Sequence, residues 1–284
     1  MRPRSPFRRR GSNHEDDPVR GGRGDFACTA AQAAEGDEAG RAWELELGVG
    51  ASYEPNYSGA DASSPRLLLW ASGEYKTQNW GSFALDSGSL TLDPQLRWTF
   101  GDDKNYGIGL LLGYRAGRSD SDPSLIADNG SDRLRGKGSV GAAVDGGVQG
   151  WVAVFGVPVF AQLRSALGGD QGTLGVLGVY LPLELTREFT LTVLPSVTWA
   201  NDKQMQALYG VTAAQSAASG FAAYSAGAGW QNAALEVDGD WKIAGPWHLV
   251  GGVAYRRLLG DAADSPLVQD KSQWSGLIRL SYRF

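Results

Sequence analysis

The stretch WELELGVGASY, residues 43–53, decides the fold class. Its Trp, Leu, Val, Ala and Tyr residues alternate with Glu, Gly and Ser from one end to the other. Successive side chains of a β-strand point to opposite faces, so this strand has one apolar face and one polar or very small face. The apolar face carries aromatic residues at both ends, Trp43 and Tyr53, with aliphatic residues between them. Amphipathic rings settle at the two water–lipid boundaries, and the pattern therefore predicts a membrane-spanning strand.

The same two-residue alternation recurs along the rest of the chain, most clearly over residues 92–100, 106–114, 189–199, 235–243 and 274–284. No apolar stripe with the 3.6-residue period of a helix competes with it over a comparable length. We predict about twelve strands, at residues 43–53, 66–76, 80–86, 89–100, 105–117, 138–153, 157–167, 172–185, 189–200, 229–243, 246–259 and 273–284.

The connections between these strands alternate in length. Those after even-numbered strands are mostly tight turns, whereas those after odd-numbered strands include the long segments 54–65, 118–137, 201–228 and 260–272. Short turns on one side and long loops on the other are typical of an outer-membrane barrel with both termini periplasmic. An even number of strands also closes the sheet without a free edge, as lipid requires. The sequence therefore predicts an all-β fold, a closed antiparallel transmembrane β-barrel of about 12 strands. Ten is the alternative, because the third strand is short and the sixth and tenth are rich in Gly and Ala.

Composition excludes several other classes of protein. The 284 residues carry a net charge of −5, so there is no basic surface for a nucleic acid partner. The single cysteine excludes an internal disulfide framework and a cysteine-rich zinc site. Only two histidines are present, which makes most histidine-dependent chemistry improbable. We expect no cofactor and no metal.

The first 42 residues differ from the rest. They are rich in Arg, Pro and Gly and contain the acidic run Glu15, Asp16, Asp17, with too little apolar area to offset the entropy of ordering. A secretory signal would need an apolar centre of ~7–15 residues, and that centre is missing. We therefore divide the chain into residues 1–42, a disordered segment or a misannotated leader region, and residues 43–284, the barrel. We favour the misannotated start, because everything after residue 42 is typical of an exported protein.

Several stretches together resemble one family. They are GVGASYEPNYSG (48–59), GYRAGR (113–118), LYGVT (208–212), Ser219-Gly220, LLGDA (258–262), Ser265-Pro266 and the terminal YRF (282–284), in the expected order. The chain is similar in these to the MltA-interacting protein family, also called the MipA/OmpV family, of gram-negative outer membranes.

This resemblance implies an outer-membrane barrel without catalytic residues. It further implies a scaffold for peptidoglycan synthesis and remodelling enzymes, whose partners would be a lytic transglycosylase and a murein synthase. Other relatives are described as porin-like proteins or adhesins, so a small-solute channel or a surface adhesin is the alternative.

Alternation directs several charged residues inward on strands that would be neighbours where the barrel closes. The candidate set is Glu236, Asp238, Asp240, Arg256, Arg279 and Arg283. One interpretation is a polar network that fills a narrow lumen, and the other is a charge ring that selects ions. We favour the filling network.

Three weaker features each have a plain structural interpretation. His248 points inward near a turn and could serve a hydrolase, but a usable triad needs a nucleophile within hydrogen-bond reach. Asp120, Asp122, Asp128 and Asp132 could bind a divalent cation, yet they lack the regular spacing of such a loop, and a solvated loop is the favoured interpretation. Outside the barrel, outer-membrane lipid and lipopolysaccharide are expected partners, the latter through Arg133, Arg135 and Lys137.

Overall fold

The computed structural model describes residues 43–103, 105–122 and 129–284. The predicted disordered or misannotated leader, residues 1–42, lies outside the described residues. So does Asp128, one member of the proposed acidic loop.

Twelve antiparallel strands form one closed ring. They are β1 (Trp43–Pro55), β2 (Ser63–Lys76), β3 (Ser82–Asp86), β4 (Gln95–Asp103), β5 (Tyr106–Arg115), β6 (Ala143–Val154), β7 (Val157–Ala166), β8 (Thr173–Val179, continuing as Leu181–Glu184), β9 (Phe189–Ala200), β10 (Gly229–Ala244), β11 (Trp247–Leu258) and β12 (Ser272–Arg283). The ring closes because β1 pairs with β12, from Glu46 opposite Arg283 to Tyr53 opposite Gly276. The predicted twelve-stranded barrel is confirmed, and the ten-stranded alternative is wrong.

Side chains along each strand alternate between an exposed outer face and a buried lumen. On β2, Leu69 is 69% exposed whereas its neighbour Trp70 is 5% exposed. Aromatic residues flank the aliphatic middle of the outer face. At one end Trp247, Tyr282 and Phe284 pack together with ring centroids 5.1 and 4.7 Å apart. Such an outer face suits hydrocarbon, with aromatic girdles at its two boundaries.

The connections differ at the two ends of the barrel. Short turns follow the even-numbered strands, at 77–81, 155–156, 185–188 and 245–246 and between β4 and β5, and we call this the short-turn end. The opposite, long-loop end carries 56–62, 87–94, the described residues 116–122 and 129–142, and 167–172, 201–228 and 259–271. The predicted alternation of connection lengths is confirmed. Since β1 begins and β12 ends at the short-turn end, both ends of the barrel sequence lie there.

Packed loops close the long-loop end. The segment 201–228, which the sequence predicts as a plain loop, contains α1 (Asp202–Tyr209) and α2 (Ala213–Ser219). Asn201 caps the first helix, and Thr212 with Gln215 forms a capping box on the second. A third short helix, α3 (Gly260–Ala263), packs with α1 in a buried cluster that includes Met205, Tyr209, Leu258 and Ala262. The barrel mouth is therefore covered by ordered structure.

Among the described residues, no helix combines the length and the apolarity needed to cross a membrane.

The predicted strand 89–100 is wrong in its first part, because β4 begins only at Gln95. Residues 87–94, which we call the strap, instead turn into the lumen. The turn begins at Gly88, whose φ of +88° favours glycine, and Asp86 accepts a hydrogen bond from the Gly88 amide at 2.8 Å. Leu90 in the strap is 8% exposed. A similar shift occurs at β6, which the sequence predicts from residue 138 and which begins at Ala143.

Candidate functional site: the barrel lumen

Glu236 on β10 anchors the strap. Its carboxylate is fully buried and accepts hydrogen bonds from the Ser89 hydroxyl (2.8 Å), the Leu90 amide (3.1 Å), and the amide (3.1 Å) and hydroxyl (2.5 Å) of Thr91. Hydrogen bonds to a charged acceptor are stronger than neutral ones. Since β10 lies opposite β4 in the ring of twelve, the strap crosses the lumen from one wall to the other.

Two further contacts hold the strap. Arg256 on β11 donates from Nη2 to the Leu90 carbonyl at 3.1 Å. Asp93 forms an ion pair with Arg164 of β7. The strap is thus attached to β7, β10 and β11 as well as to its own two strands. These contacts hold the strap from three strands of the barrel wall.

A charge cluster lies in the lumen near the short-turn end. Glu46 on β1 pairs with Arg279 at 3.4 Å and with Arg283 at 2.9 Å, and Arg283 also pairs with Asp240. The Arg279 guanidinium lies 3.9 Å from the ring centre of Trp70, in a cation–π contact. These side chains are nearly all buried, so each charge depends on its partner inside the barrel.

His248 belongs to this cluster, and both of its ring nitrogens are occupied. Nδ1 lies 2.8 Å from Asp240 Oδ1, and Nε2 lies 3.3 Å from Nη1 of Arg283. With Arg283 donating to Nε2, no ring nitrogen remains to accept a proton from a serine. The geometry matches a structural histidine, whereas a triad requires Nε2 to face a nucleophile.

A second cluster, which the sequence analysis missed, ties α1 to the barrel wall at the long-loop end. Arg115 pairs with Asp145 at 2.6 Å and donates to the Gln204 side chain at 2.8 Å and to the Gly172 carbonyl at 2.7 Å. Arg164 approaches the other Asp145 oxygen at 3.7 Å. Alternation along β5, β6 and β7 directs all three charges inward and could have identified them.

The six residues predicted for the lumen are divided among different partners. Asp240, Arg279 and Arg283 join the Glu46 cluster, and Glu236 and Arg256 hold the strap. Asp238 lies between Glu236 and Asp240 on β10 and lines a cavity of about 20 Å³. Glu46, which contacts two of the predicted arginines, was missed, although its inward position on β1 follows from alternation. Whether the set fills the lumen or selects ions stays a prediction.

A larger cavity of about 50 Å³ lies beside the strap. Its walls include the aromatic residues Trp151, Phe160 and Tyr180, together with three glutamines. Gln162 donates to the Gln95 side chain at 3.2 Å. The cavity is mostly apolar, in contrast to the charged clusters above and below it.

The loop cations do not form one outward-facing group. Lys137 is 3% exposed, which makes the prediction that it faces lipopolysaccharide wrong. Burial, together with the neighbouring positive charge of Arg118, lowers the pKa of Lys137 to about 8. Arg133 lies 5.5 Å from the Phe221 ring centre, and Arg135 pairs with Asp132 at 2.8 Å on the surface.

Among the described residues, no group of three or more His, Cys, Asp or Glu side chains is arranged to hold a metal ion. Asp122 accepts a hydrogen bond from the Asp132 amide at 2.9 Å.

Comparison with known proteins connects this barrel to one family. The profile of the family described as "MltA-interacting protein MipA" matches residues 47–284. The proteins named "MltA-interacting protein" of Escherichia coli (strain K12) and Shigella flexneri are 34% identical over 131 residues, which is 44% of this chain. The matched region spans 52% of each relative, about half of its length.

Solved outer-membrane barrels are also similar in outline. The translocator domain of the autotransporter NalP from Neisseria meningitidis matches with a TM-score of 0.46 and 13% identity, over 87% of this chain and 90% of that one. OmpT of Vibrio cholerae matches with a TM-score of 0.35 and 8% identity, over 85% and 96%. The closed barrel, its apolar outer face and the family match locate the protein in the outer membrane.

Proposed function

Because the chain belongs to the MltA-interacting protein MipA family, we propose that it is a non-enzymatic scaffold for enzymes that remodel and synthesise peptidoglycan. The relatives in E. coli and S. flexneri are named for an interaction with MltA. By analogy, the partner of this protein is a lytic transglycosylase, with a murein synthase as the second enzyme of the assembly.

The observation that carries this proposal is the set of contacts that span the lumen. The strap crosses the barrel and is fixed at Glu236, while the Glu46 cluster occupies the short-turn half and α1 covers the opposite mouth. Because these interior side chains make structural contacts, we expect the outer surfaces of the barrel to bind the partner. The occupied nitrogens of His248 favour the same conclusion over hydrolysis.

We place the short-turn end in the periplasm, where peptidoglycan enzymes act. One turn there has an unusual exposed residue, Phe155, at the tip between β6 and β7. Phe155 is fully exposed and has a φ of +52°, the only positive φ of a non-glycine residue among those described. This conformation is strained for an aromatic residue, and strained, exposed residues cluster at functional sites. We assign Phe155 as an anchor for the partner enzyme.

A binding measurement tests the scaffold directly. The full chain in detergent is immobilised and titrated with a purified lytic transglycosylase of the MltA type. We expect saturable binding by the wild type and by Arg187→Gln, which changes an exposed charge at another short turn, and binding at least tenfold weaker by Phe155→Gly. Equal binding by Phe155→Gly would refute the anchor, and no binding by the wild type would refute the scaffold.

A small-solute channel is the alternative, and the cavity of about 50 Å³ beside the strap favours it. Single-channel recording in planar bilayers separates the two functions. The scaffold predicts no steady conductance from the wild type, whereas a channel predicts reproducible current steps.

A further inference from the structure

One lipid-facing strand position carries a charge. Along the twelve strands, charged side chains fall on the alternate positions that face the lumen, as Arg256 does. Among the strand residues with described side chains, Arg257 is the only charged one on the outward set, which it shares with Val253 and Tyr255 of β11. A cation on the lipid face lowers stability unless it reaches the boundary or a partner. Its presence therefore calls for a polar environment outside the barrel, which is either the headgroup boundary or a bound partner.

Arg257 lies at the long-loop boundary of the hydrocarbon. It is the penultimate residue of β11, one step beyond the outward Tyr255. Tyr255 packs on Trp274 of β12 with ring centroids 5.0 Å apart, and Trp274 is 65% exposed. These rings form part of the aromatic girdle, so the guanidinium lies at the depth of lipid headgroups.

The guanidinium is held in place by Ser272 on the neighbouring strand. Arg257 Nη1 donates to Ser272 Oγ at 2.9 Å, and the Tyr255 hydroxyl donates to the same oxygen at 3.0 Å. Ser272 Oγ therefore accepts two hydrogen bonds and keeps its own proton for a third partner. Arg257 uses one of its five N–H donors in this contact, and the remaining donors suit the planar recognition of a phosphate.

A second cation lies next to this pair in sequence. Lys271, which precedes Ser272, is half exposed and pairs with Asp264 at 2.9 Å, on a carboxylate that is itself 68% exposed. Because successive side chains alternate where β12 begins, Lys271 lies on the face opposite Ser272 and is not part of the Arg257–Ser272 pair. The nearby Asp270 carboxylate accepts from the Ser272 amide at 2.8 Å.

We propose that Arg257 and Ser272 bind a phosphate group of lipopolysaccharide in the outer leaflet. This rests on the orientation in the proposed function, which puts the long-loop end outside. The lipid-facing position of Arg257, beside the girdle, favours a membrane lipid over free phosphate. The guanidinium and the Ser272 hydroxyl suit a phosphate monoester, which carries about −1.5 to −2 charges at pH 7, better than the single charge of a phospholipid diester. The exposed loop cations Arg133 and Arg135 are not part of this site.

Native mass spectrometry with defined lipids tests the site. The full chain, refolded in detergent without lipopolysaccharide, is titrated with purified lipid A, with phosphatidylglycerol and with inorganic phosphate. We expect the wild type to bind lipid A most tightly. Arg257→Gln should bind it at least tenfold more weakly, because one charge-assisted contact is lost. The affinity of Arg257→Lys for lipid A should be intermediate, since lysine keeps the charge but lacks the planar guanidinium with its several donors.

Two controls keep the result interpretable. Arg187→Gln, at the short-turn end, should bind lipid A as the wild type does. Ser272→Ala leaves the guanidinium in place but removes its support, and it should weaken lipid A binding even if Arg257→Gln were to refold poorly. Unchanged lipid A binding by Arg257→Gln and Ser272→Ala, or phosphatidylglycerol or inorganic phosphate binding as tight as lipid A binding, would overturn the proposal.

The orientation is checked separately in whole cells. A Lys271→Cys variant, made with Cys28→Ser, should react with a membrane-impermeant maleimide in intact cells. Protection of residue 271 until the outer membrane is opened would contradict the orientation itself. Labelling of residue 271 together with unaltered lipid A binding by Arg257→Gln would contradict only the lipid site.

Discussion

Replacing Glu236 with alanine should release the strap. The carboxylate is fully buried and accepts four hydrogen bonds, from Ser89, Leu90 and Thr91. Each hydrogen bond to a charged group contributes about 1.5–3 kcal/mol, but such contributions overlap when they share one acceptor. Removing the acceptor leaves these donors unsatisfied, at a cost of about 1–3 kcal/mol for each buried group, and because the contributions overlap we expect a total loss of about 3–5 kcal/mol. Glu236→Gln should lose less stability than Glu236→Ala, because its carbonyl oxygen can still accept hydrogen bonds from the strap. It should remain less stable than the wild type, because its NH2 group faces other donors.

Unfolding in urea, followed by tryptophan fluorescence in detergent micelles, measures this loss. Glu184→Ala is the matched control, because it removes an exposed glutamate from β8. The same variants are then compared in planar bilayers, where release of the strap should give Glu236→Ala a conductance that the wild type lacks. A Glu236→Ala barrel as stable and as silent as the wild type would refute the role of the strap.

Three further perturbations test other parts of the structure. Lys137 has a pKa of about 8 in the folded protein and 10.5 as a free side chain, so the unfolded chain binds more protons between these values. Stability should therefore rise with pH across that window by up to about 3 kcal/mol relative to Lys137→Met, in paired urea titrations at pH 7 and pH 10.5; parallel curves would contradict the burial. Phe155→Gly should stabilise the barrel by about 1 kcal/mol in the same assay while weakening partner binding, because glycine adopts a positive φ without strain; a loss of stability would contradict the strained turn. A Cβ on Gly107 would lie 2.3 Å from Nε1 of the Trp151 ring, so Gly107→Ala should cost about 1–3 kcal/mol by calorimetry, and a neutral change would mean that the ring can move away.

Alternation and loop length predict most of the fold, because both can be read from local stretches of the sequence. The period of two that begins at Trp43 locates most of the strands, and the lengths of the connections fix which end carries the loops. Boundaries failed where a tertiary contact overrides the local pattern. Leu92 and Pro94 continue the alternation of β4, yet Glu236, far away in sequence, draws residues 87–94 into the lumen.

Side-chain partners were harder to predict than side-chain direction. Alternation correctly directs Asp240, Arg279 and Arg283 inward, but it contains no information on which strands approach each other across the lumen. Glu46 was therefore not predicted as part of the network, although it contacts both Arg279 and Arg283. Lys137 lies in a long loop, where no period predicts burial, and its position depends on how several loops pack together.

The exposure of the outer face to lipid is tested most directly by depth-dependent fluorescence quenching. The full chain is refolded into vesicles of phospholipids brominated at defined positions along the acyl chains. Of the ten tryptophans, Trp70 and Trp151 lie buried inside the barrel, and outward residues such as Trp43, Trp247 and Trp274 lie in the girdles. We predict strong quenching by bromines near the headgroups and weaker quenching by bromines at the bilayer centre. A polypeptide that stays folded in water and shows no quenching at any depth would contradict the account.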